Sequence, residues 1–539
     1  MVPMRPQSTL SRRSPAHGSK GCLLSRTVIP CPGELAPPTD AGRWQLSAIP
    51  VESSRLVELT AHMTSINRNY DELFETAFSE TRRIQEMSPD EHGRWRSQFR
   101  LLPPNIPLGD GSHIDTTMDA LRAIGDIGEL WLQNTPSAQA SISVLEIREL
   151  AIAIVGQIIS GSYRDRLDAD PKFKRVFTKI LGERVASLSK NTMHYFPCHV
   201  FESADAPQFE IGPVRFMSRV DWLDLVEANA QSALGWVRPL RAYFEGQAPR
   251  PEAPVWDLAT MSSEERQKSN DDHWKAKSTC DEVGACRWIA VVEVPDRLSK
   301  LSRTCAEVAV RVAVDAFGLA LGHHDALDLR GPGDAKGATL TYQLLQVRGR
   351  DIPTSWSLDM PGLKGGTARY QDLLERTAEL RGSAGKALYA FVNHNAPGPV
   401  PTLKKRWVEA MYWFGEARRE SADFVSLVKA GIALDILTQG KKAGGILDLS
   451  CRLFGLEESD TIANNGMTLE KAVTAIYDDG RSQLSHGGRL GLLQEIPVSR
   501  QLAIDFSAKV LLQYLSCLVK YNGPDDVDSL LLEIPRLRT

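Results

Sequence analysis

Apolar residues in the first third of the chain recur at intervals of three and four positions, which is the spacing of one face of an α-helix. Asp170 followed by Pro171 adds a helix N-cap with a proline in the first turn, where the missing N–H of proline costs nothing. The pattern therefore predicts a mainly helical region over residues 51–190. Its candidate helices lie at 53–87, 115–133, 144–159 and 170–188.

The pattern changes after residue 190, where short apolar runs rich in β-branched and aromatic residues alternate with helical segments. Runs of this length and composition predict β-strands. A Pro-rich and then polar stretch at 246–282 predicts a long surface loop. Residues 191–365 are thus expected to form a mixed α/β region. Its predicted strands lie within 194–201, 208–217, 286–295 and 338–347, and its predicted helices at 219–244 and 298–321.

From residue 368 onward the apolar spacing is helical again, over a length that is normal for a domain. The sequence predicts a separate helical domain at 368–525 and a C-terminal tail at 526–539. Residues 1–50 are rich in Pro, Ser and Arg and are predicted to be a disordered tail. The predicted fold class is α+β and multidomain, with a helical N-terminal segment, a mixed α/β middle region and a C-terminal all-α bundle. The helices of that bundle are predicted at 368–380, 385–393, 403–419, 421–438, 443–455, 468–485 and 498–520.

The composition limits the classes of function. Of 539 residues, 42% are hydrophobic and 24% charged, and the net charge is −4. This balance is typical of a globular protein and gives no overall basic surface for nucleic acid. Contact with phosphates therefore has to come from a local patch such as Lys404, Lys405 and Arg406, although a mild basic excess is usually solvated surface. No apolar run approaches the roughly 20 residues that cross a membrane, so no membrane partner is expected.

Eight cysteines are spread along the chain without a Cys-x-x-Cys pair. A zinc ribbon or a thioredoxin-type redox centre needs such spacing, so reduced thiols in a cytoplasmic protein are expected. A metal set built from Cys198, Cys280, Cys286 and the nearby histidines lacks the spacing of known ligand sets. The same holds for "GHHDALD" at 322–328. The sequence therefore predicts neither a metal nor a cofactor.

One predicted helix combines a core-facing stripe with candidate chemistry. In "TLEKAVTAIYDDGRSQLSHGGRL", residues 468–490, apolar residues follow an i, i+3, i+4, i+7, i+8 pattern, which predicts a buried face. Thr468 is a candidate N-cap, and Gly487 with Gly488 predicts the C-terminal stop. The stripe consists of Leu469, Ala472, Val473, Ile476 and Tyr477, and Gly480 and Leu484 continue it.

Arg481 and His486 lie late in this helix, on opposite shoulders of the stripe. On a straight α-helix they are about 140° apart, so one helix does not present them side by side. A bend at Gly480 or Gly487 would bring them together. A second copy of the helix across a two-fold axis would instead pair the Arg of one chain with the His of the other.

The C-terminal domain resembles the HEPN family (higher eukaryotes and prokaryotes nucleotide-binding domains), in particular its Apea-like group. One segment that carries the resemblance is "YDDGRSQLSHGGR" at 477–489, which is similar to the Arg-x4–6-His ending of the family. The other is "FVSLVKAGIALDILTQG" at 424–440, which looks like the "ALEALL" helix of the family with Asp435 in place of the usual Glu.

This resemblance implies a metal-independent endoribonuclease that acts on RNA as a homodimer through the C-terminal helical domain, in a setting such as phage defence or a toxin system. His486 would take or give the proton of the RNA 2′-hydroxyl or of the leaving oxygen. Arg481 would stabilise the charge that develops on the phosphorane. Asp435 is the lone charge between Lys429 and Lys441 on an apolar helix. It would orient one of the two, the alternatives being a solvated helix face or a buried ion pair.

The leading hypothesis is that the region before this domain senses a trigger or restrains the nuclease. A second interpretation of the same domain is a catalytically inactive module that serves as a dimerisation or nucleotide-binding scaffold. Many active family members have Asn, Asp or His directly after the Arg, where this chain has Ser482. In that interpretation Arg481 and His486 have structural roles, at the surface and at the helix end.

Overall fold

The structure is a computed structural model in which helices predominate over short antiparallel strands. The predicted tail at 1–50, the predicted helix at 53–87 before Tyr70, and the segment that carries His486 lie outside the residues that it describes. The described residues are 70–108, 111–161, 171–230, 234–252, 262–322, 329–334, 339–343, 346–347, 350–351, 355–359, 361–396, 398–463, 466–482 and 500–538.

The N-terminal region consists of helices around a core of its own. Phe74 and Phe78 of the first helix pack edge-on against Phe173 of the sixth, with ring centroids 5.7 and 4.9 Å apart, an arrangement that adds to the stabilisation from burial. One small strand pair, which the sequence pattern does not predict, interrupts the helices. The elements are α1 (Tyr70–Gln85), α2 (Pro89–Arg96), β1 (Asn105–Pro107), β2 (His113–Asp115), α3 (Met118–Gln133), α4 (Pro136–Gln139), α5 (Val144–Gly161) and α6 (Pro171–Leu188).

The middle region is mixed α and β, as predicted. Its elements are β3 (Lys190–Cys198), β4 (Phe209–Ile211), β5 (Val214–Ser218), α7 (Arg219–Ala228), α8 (Val237–Phe244), α9 (Ser263–Val283), β6 (Trp288–Arg297), α10 (Ser299–Leu321), β7 (Thr339–Gln343), β8 (Gln346–Val347), β9 (Arg350–Asp351) and β10 (Ser355–Asp359). A four-stranded antiparallel sheet has the order β3-β6-β5-β4. Successive residues of a strand face opposite sides of the sheet, so Val292 of β6 joins the main core and Val291 joins a smaller core on the other face.

Two predictions for this region are wrong in detail. The predicted loop at 246–282 contains α9. The sequence pattern does not predict this helix, because its described side chains include only three buried hydrophobic residues, Ala276, Cys280 and Val283. So few apolar positions do not make the stripe that signals an amphipathic helix. The single helix predicted at 219–244 is instead two helices, α7 and α8.

The C-terminal helices form a bundle, but not a separate one. Phe201, which follows β3, contacts the rings of Trp288 in the sheet, Phe317 in α10 and Tyr370 in the bundle, with centroids 5.4, 6.0 and 4.6 Å apart. One continuous core therefore joins the sheet to the bundle, and the predicted division near residue 365 does not separate two cores. The bundle consists of α11 (Thr367–Arg376), α12 (Ala378–Val392), α13 (Pro401–Arg419), α14 (Asp423–Leu437), α15 (Lys442–Phe454), α16 (Leu469–Thr474), a π-helix (Ala475–Ser482), α17 (Arg500–Lys520) and α18 (Val527–Leu537).

The predicted C-terminal tail at 526–539 is wrong, because α18 occupies most of it. Asp526 caps this helix by accepting a hydrogen bond from the Ser529 N–H at 2.8 Å. Val527, Leu530 and Ile534 are almost completely buried, and their i, i+3, i+7 spacing is the amphipathic pattern that predicts a helix. The tail is therefore part of the bundle.

One helix among the described residues, α17, is long and apolar enough to cross a membrane by length and composition, with a mean hydropathy of 1.5 over its best window. Val510, Leu511 and Leu515 of this helix are each at most 1% exposed and belong to the main core. A core helix has the same composition as a membrane span, so packing inside the bundle accounts for the apolar character of α17.

Candidate functional site

The candidate site lies where α14 meets the π-helix. Leu427, Gly431 and Asp435 are spaced at i, i+4 and i+8, which places them along one face of α14. A side chain at Gly431 would be in close contact with Arg481, and a side chain at Gly480 would contact Leu427. The face of α14 that carries Asp435 is therefore the face on which the π-helix packs.

The predicted α-helix at 468–485 changes character halfway along its described part. Thr468 caps α16 as predicted, with its side chain accepting from the Lys471 N–H at 3.3 Å. From Ala475 to Ser482 the chain is a π-helix, in which each N–H bonds five residues back and the turn is wider. The predicted angle of 140° between Arg481 and His486 involves residues 483–486, which lie outside the described residues.

The structure brings Arg481 and Asp435 together, while His486 lies outside the described residues. Arg481 Nη1 is 3.0 Å from Asp435 Oδ2. The Asp435 residue is 8% exposed, whereas 31% of the Arg481 side chain is exposed. Of the alternatives for Asp435, the geometry matches the buried ion pair and excludes a solvated helix face.

Tyr477 completes the cluster and was assigned by sequence to the core stripe alone. Arg481 Nη1 donates to the Tyr477 hydroxyl, and the guanidinium also lies over the Tyr477 ring, 4.9 Å from its centroid. The hydroxyl in turn donates to Asp435 Oδ2 over a long 3.5 Å. The i, i+4 spacing of Tyr477 and Arg481, which puts the two on one helix face, was a signal that could have found this contact.

Burial raises the pKa of Tyr477, and the negative charge of Asp435 raises it further, although the positive charge of Arg481 opposes them. An ordinary tyrosine already titrates near pH 10, so the hydroxyl stays neutral at physiological pH. It can therefore accept a hydrogen bond from Arg481 and donate one to Asp435 at the same time.

The second carboxylate oxygen of Asp435 reaches the start of the next helix. Oδ1 accepts from the Lys442 N–H at 3.1 Å, and a carboxylate at a helix N-terminus is favoured by the helix dipole. The turn that makes this possible includes Gln439 and Lys442 at φ values of 60° and 59°. Left-handed backbone is rare for residues other than glycine and concentrates at functional sites. Asp435 thus links α14, α15 and the π-helix.

Gly431 permits this close approach of the two helices. A Cβ atom added at Gly431 would lie 3.1 Å from the Arg481 Cβ and 3.4 Å from the Ile476 carbonyl oxygen. The first distance is tighter than ordinary van der Waals contact. Glycine at this position therefore sets how closely Arg481 approaches Asp435.

The cluster supplies the parts of an anion-binding site. A guanidinium has five N–H donors in a planar fork, and the partial exposure of Arg481 leaves donors on the solvent side for a phosphate oxygen. Asp435 and Tyr477 contact the other side of the fork.

The histidines and cysteines considered as metal ligands in the sequence make pairwise contacts in the described part of the chain. Cys286 Sγ lies 3.3 Å from His199 Nε2, and His194 Nε2 bonds to the Ser302 hydroxyl at 2.7 Å. The described residues contain no group of three or more His, Cys, Asp or Glu side chains arranged to hold a metal ion. Most of "GHHDALD", from 323 to 328, lies outside the described residues.

Comparisons with known proteins identify no family for the chain. No family model, no curated protein and no solved structure matches it.

Proposed function

We propose that the chain is a metal-independent endoribonuclease of HEPN type that acts as a homodimer in the cytoplasm, in a phage-defence or toxin-like role. The observation that carries this proposal is the Arg481–Asp435–Tyr477 cluster. It joins the two segments on which the resemblance rests, and it holds an arginine half-exposed beside a buried carboxylate. The region before the bundle senses a trigger or restrains the nuclease.

In this mechanism the RNA 2′-hydroxyl oxygen attacks the adjacent phosphorus and the bond from phosphorus to the 5′-oxygen breaks. His486 removes the 2′-hydroxyl proton or delivers a proton to the leaving oxygen, and the products are a 2′,3′-cyclic phosphate and a 5′-hydroxyl. Arg481 donates to the equatorial oxygens as negative charge builds up on them. Asp435 holds Arg481 in place, and in a homodimer the two copies of the segment at 481–486 line one cleft.

The experiment is RNA cleavage by the purified full chain in EDTA, with the cyclic phosphate product as readout. Arg481→Ala and His486→Ala are each expected to lower the rate by about a hundredfold or more. Arg452→Ala is the matched control, because Arg452 is 32% exposed and pairs with Asp448 at 2.7 Å, outside the cluster. A 2′-deoxy nucleotide at the cleaved position should stop the reaction.

A second candidate function is the inactive dimerisation or nucleotide-binding scaffold. It is favoured by the observation that Asp435 and Tyr477 already occupy part of the Arg481 guanidinium, and that Asp435 also caps α15. In that case none of several RNA classes is cleaved in the presence or absence of phage-infected cell extract, while Asp435→Ala still weakens the dimer. Cleavage that the Arg481→Ala and His486→Ala variants lose excludes the scaffold.

A further inference from the structure

The exposed turn at 438–442, between α14 and α15, is built around Asp435. The Asp435 carbonyl oxygen accepts from the Gly440 N–H at 3.0 Å, and its carboxylate oxygen Oδ1 accepts from the Lys442 N–H at 3.1 Å. The other carboxylate oxygen faces Arg481. The residue that holds Arg481 therefore also fixes the backbone of this turn.

Lys442 and Arg481 approach the two oxygens of the same carboxylate. The Lys442 N–H lies on Asp435 Oδ1, and Arg481 Nη1 is 3.0 Å from Oδ2, so one carboxylate group separates the Lys442 backbone from the guanidinium. Lys442 is exposed, and so is 31% of the Arg481 side chain. A lysine has a flexible four-carbon stem, which is long enough to bring its ammonium group to a ligand that Arg481 binds.

The two lysines of the turn differ in their partners. Lys441 Nζ bonds to Asp528 of α18, whereas Lys442 makes no ion pair in the part of the chain that the structure describes. Asp435 carries a single negative charge, which already faces Arg481. That charge neutralises at most one of the two cations beside it.

Stability does not account for a lysine at position 442. Its φ is 59°, and left-handed backbone strains every residue that has a Cβ atom. Lys442 is also the first residue of α15, where the helix dipole disfavours a positive charge. Gln439 of the same turn has nearly the same φ, 60°, and carries no charge. Comparing these two residues therefore separates the effect of the backbone from the effect of the charge.

We propose that Lys442 contacts the phosphate of the RNA backbone next to the phosphate that Arg481 contacts. A lysine ammonium binds phosphate as a point charge, whereas the planar fork of an arginine fits two oxygens of one phosphate. Successive phosphates of one strand are then held on the two sides of Asp435. This inference rests on the proposed function, because RNA is the ligand proposed for Arg481.

The experiment measures how the full chain binds a single-stranded 2′-O-methyl RNA of mixed sequence over a range of salt concentrations. This RNA has no free 2′-hydroxyl group, so binding is measured without cleavage. We expect Lys442→Gly to weaken binding about tenfold at low salt and to reduce the slope of log K against log salt by about 0.7. Lys442→Arg keeps the charge and should keep the slope of the wild type.

Gln439→Gly is the matched control. It relieves the same strain at an exposed residue of the same turn without removing a charge, so it should bind RNA as the wild type does. In both glycine variants the relief of strain should outweigh the greater freedom of glycine in the unfolded chain, and we expect each Tm to rise by about 1 °C. A Lys442→Gly chain that is at least as stable as wild type but binds RNA less tightly supports the contact.

Cleavage of unmodified RNA of the same sequence gives a second measurement. Lys442 contacts the substrate equally before and during the reaction, so Lys442→Gly should raise KM about tenfold and leave kcat unchanged. Equal RNA affinity and salt slope in Lys442→Gly and wild type overturn the proposal, as does absence of RNA binding by the wild type. A loss of affinity in Gln439→Gly as large as that in Lys442→Gly also overturns it, since the shape of the turn would then explain both.

Failure of this contact and failure of the nuclease give different results. If wild type cleaves RNA in EDTA, Arg481→Ala does not, and Lys442→Gly binds normally, the nuclease stands and only the Lys442 contact is removed. If Lys442→Gly weakens binding but the wild type cleaves no RNA, the contact stands and the nucleotide-binding scaffold is favoured.

Discussion

Two buried aspartates in the bundle and its neighbouring helix have very different surroundings. Asp315 of α10 is completely buried and faces two arginines, with Arg419 Nη1 at 2.7 Å and Arg418 Nη2 at 3.5 Å. Asp435 faces a single arginine, Arg481, at 3.0 Å. The Arg418 side chain is 6% exposed, whereas that of Arg481 is 31% exposed. The other partner of Asp315, Arg419, is 21% exposed, so the Asp315 site is the less exposed of the two on its arginine side.

The charges around Asp315 compensate one another through its Oδ1 atom, whereas the buried Oδ2 has no hydrogen-bond partner among the described residues. Burial disfavours the charged form of Arg419, but Asp315, Asp334 and Glu416 outweigh it and raise the pKa of Arg419. Glu416 in turn pairs with Arg311 at 2.9 Å. In this network most arginine donors face a carboxylate, which leaves few of them for a ligand. Its ion pairs connect α10 to α13. Both aspartates are buried, so burial of the aspartate does not separate a structural ion pair from a candidate site. The two differ in the number of arginines that face the aspartate and in the exposure of those arginines.

The largest effect is expected from Asp315→Ala, which leaves Arg418 and Arg419 without their shared buried partner. Removing one member of a buried ion pair costs about 3–5 kcal/mol. Chemical denaturation followed by circular dichroism measures the free energy of unfolding. Asp372→Ala is the control, because Asp372 is 60% exposed and pairs with exposed Arg376, and surface pairs contribute about 1 kcal/mol or less. Equal losses in the two variants would break the distinction between a buried and an exposed ion pair.

A smaller loss of stability and a larger loss of activity are expected from Asp435→Asn. The amide oxygen can still accept from the Lys442 N–H, so the cap of α15 survives, and the free energy of unfolding should fall by about 1–2 kcal/mol. Arg481 loses its charged anchor, and we expect RNA cleavage to fall at least tenfold. Denaturation and cleavage rates are measured on the same preparation. A variant that keeps full cleavage would make Asp435 a purely structural residue like Asp315.

The third change, Gly431→Ala, moves the two helices of the Asp435 site apart. The new Cβ would meet the Arg481 Cβ at 3.1 Å, so Arg481 must shift by a few tenths of an ångström. We expect about 1 kcal/mol of destabilisation together with slower cleavage. Gly444→Ala is the matched control, since no atom lies within 4 Å of the Cβ that it adds and alanine is the better helix former. It should be neutral or stabilising.

Much of the fold was predictable because most elements bury one regular apolar face. The helices at 144–159 and 403–419 and the strand at 286–295 appear close to their predicted positions, as α5, α13 and β6. The failures have a common cause. Helix α9 buries few residues and so lacks a stripe. The division near residue 365 failed because apolar spacing shows that a face is buried but not which element covers it.

The site was predictable only in its parts. The lone charge of Asp435 on an apolar helix left a buried ion pair as one of several alternatives, and the structure pairs Asp435 with Arg481. The π-helix was not predictable, since nothing in an i, i+4 pattern distinguishes it from an α-helix. The spacing of the apolar stripe predicts that Tyr477 lies in the core, and its side chain is buried. A tyrosine also carries a polar hydroxyl, and spacing does not show which group that hydroxyl contacts. The dimer and the position of His486 stay predictions.

The smallest effect at neutral pH is expected from Tyr477→Phe, which removes the hydroxyl that joins Arg481 to Asp435. The ring still packs, so the free energy of unfolding at pH 7 should change by about 1 kcal/mol or less.

Above pH 10 we expect the order of stability to reverse, so that the Tyr477→Phe variant becomes more stable than wild type. Because burial and Asp435 raise the pKa of Tyr477 in the folded chain, the folded state binds its proton more tightly than the unfolded state does. The protonated Tyr477 hydroxyl therefore contributes its full stabilisation of the folded state below the unfolded pKa of about 10. This stabilisation is lost as pH rises through the higher folded pKa.

Denaturation curves at pH 7 and pH 10.5 should show wild type losing more stability than Tyr477→Phe. The exposed Tyr389, changed to Phe, is the control and should follow wild type. A Tyr477→Phe variant with the same alkaline loss as wild type would show that this hydroxyl is not held between the two charges.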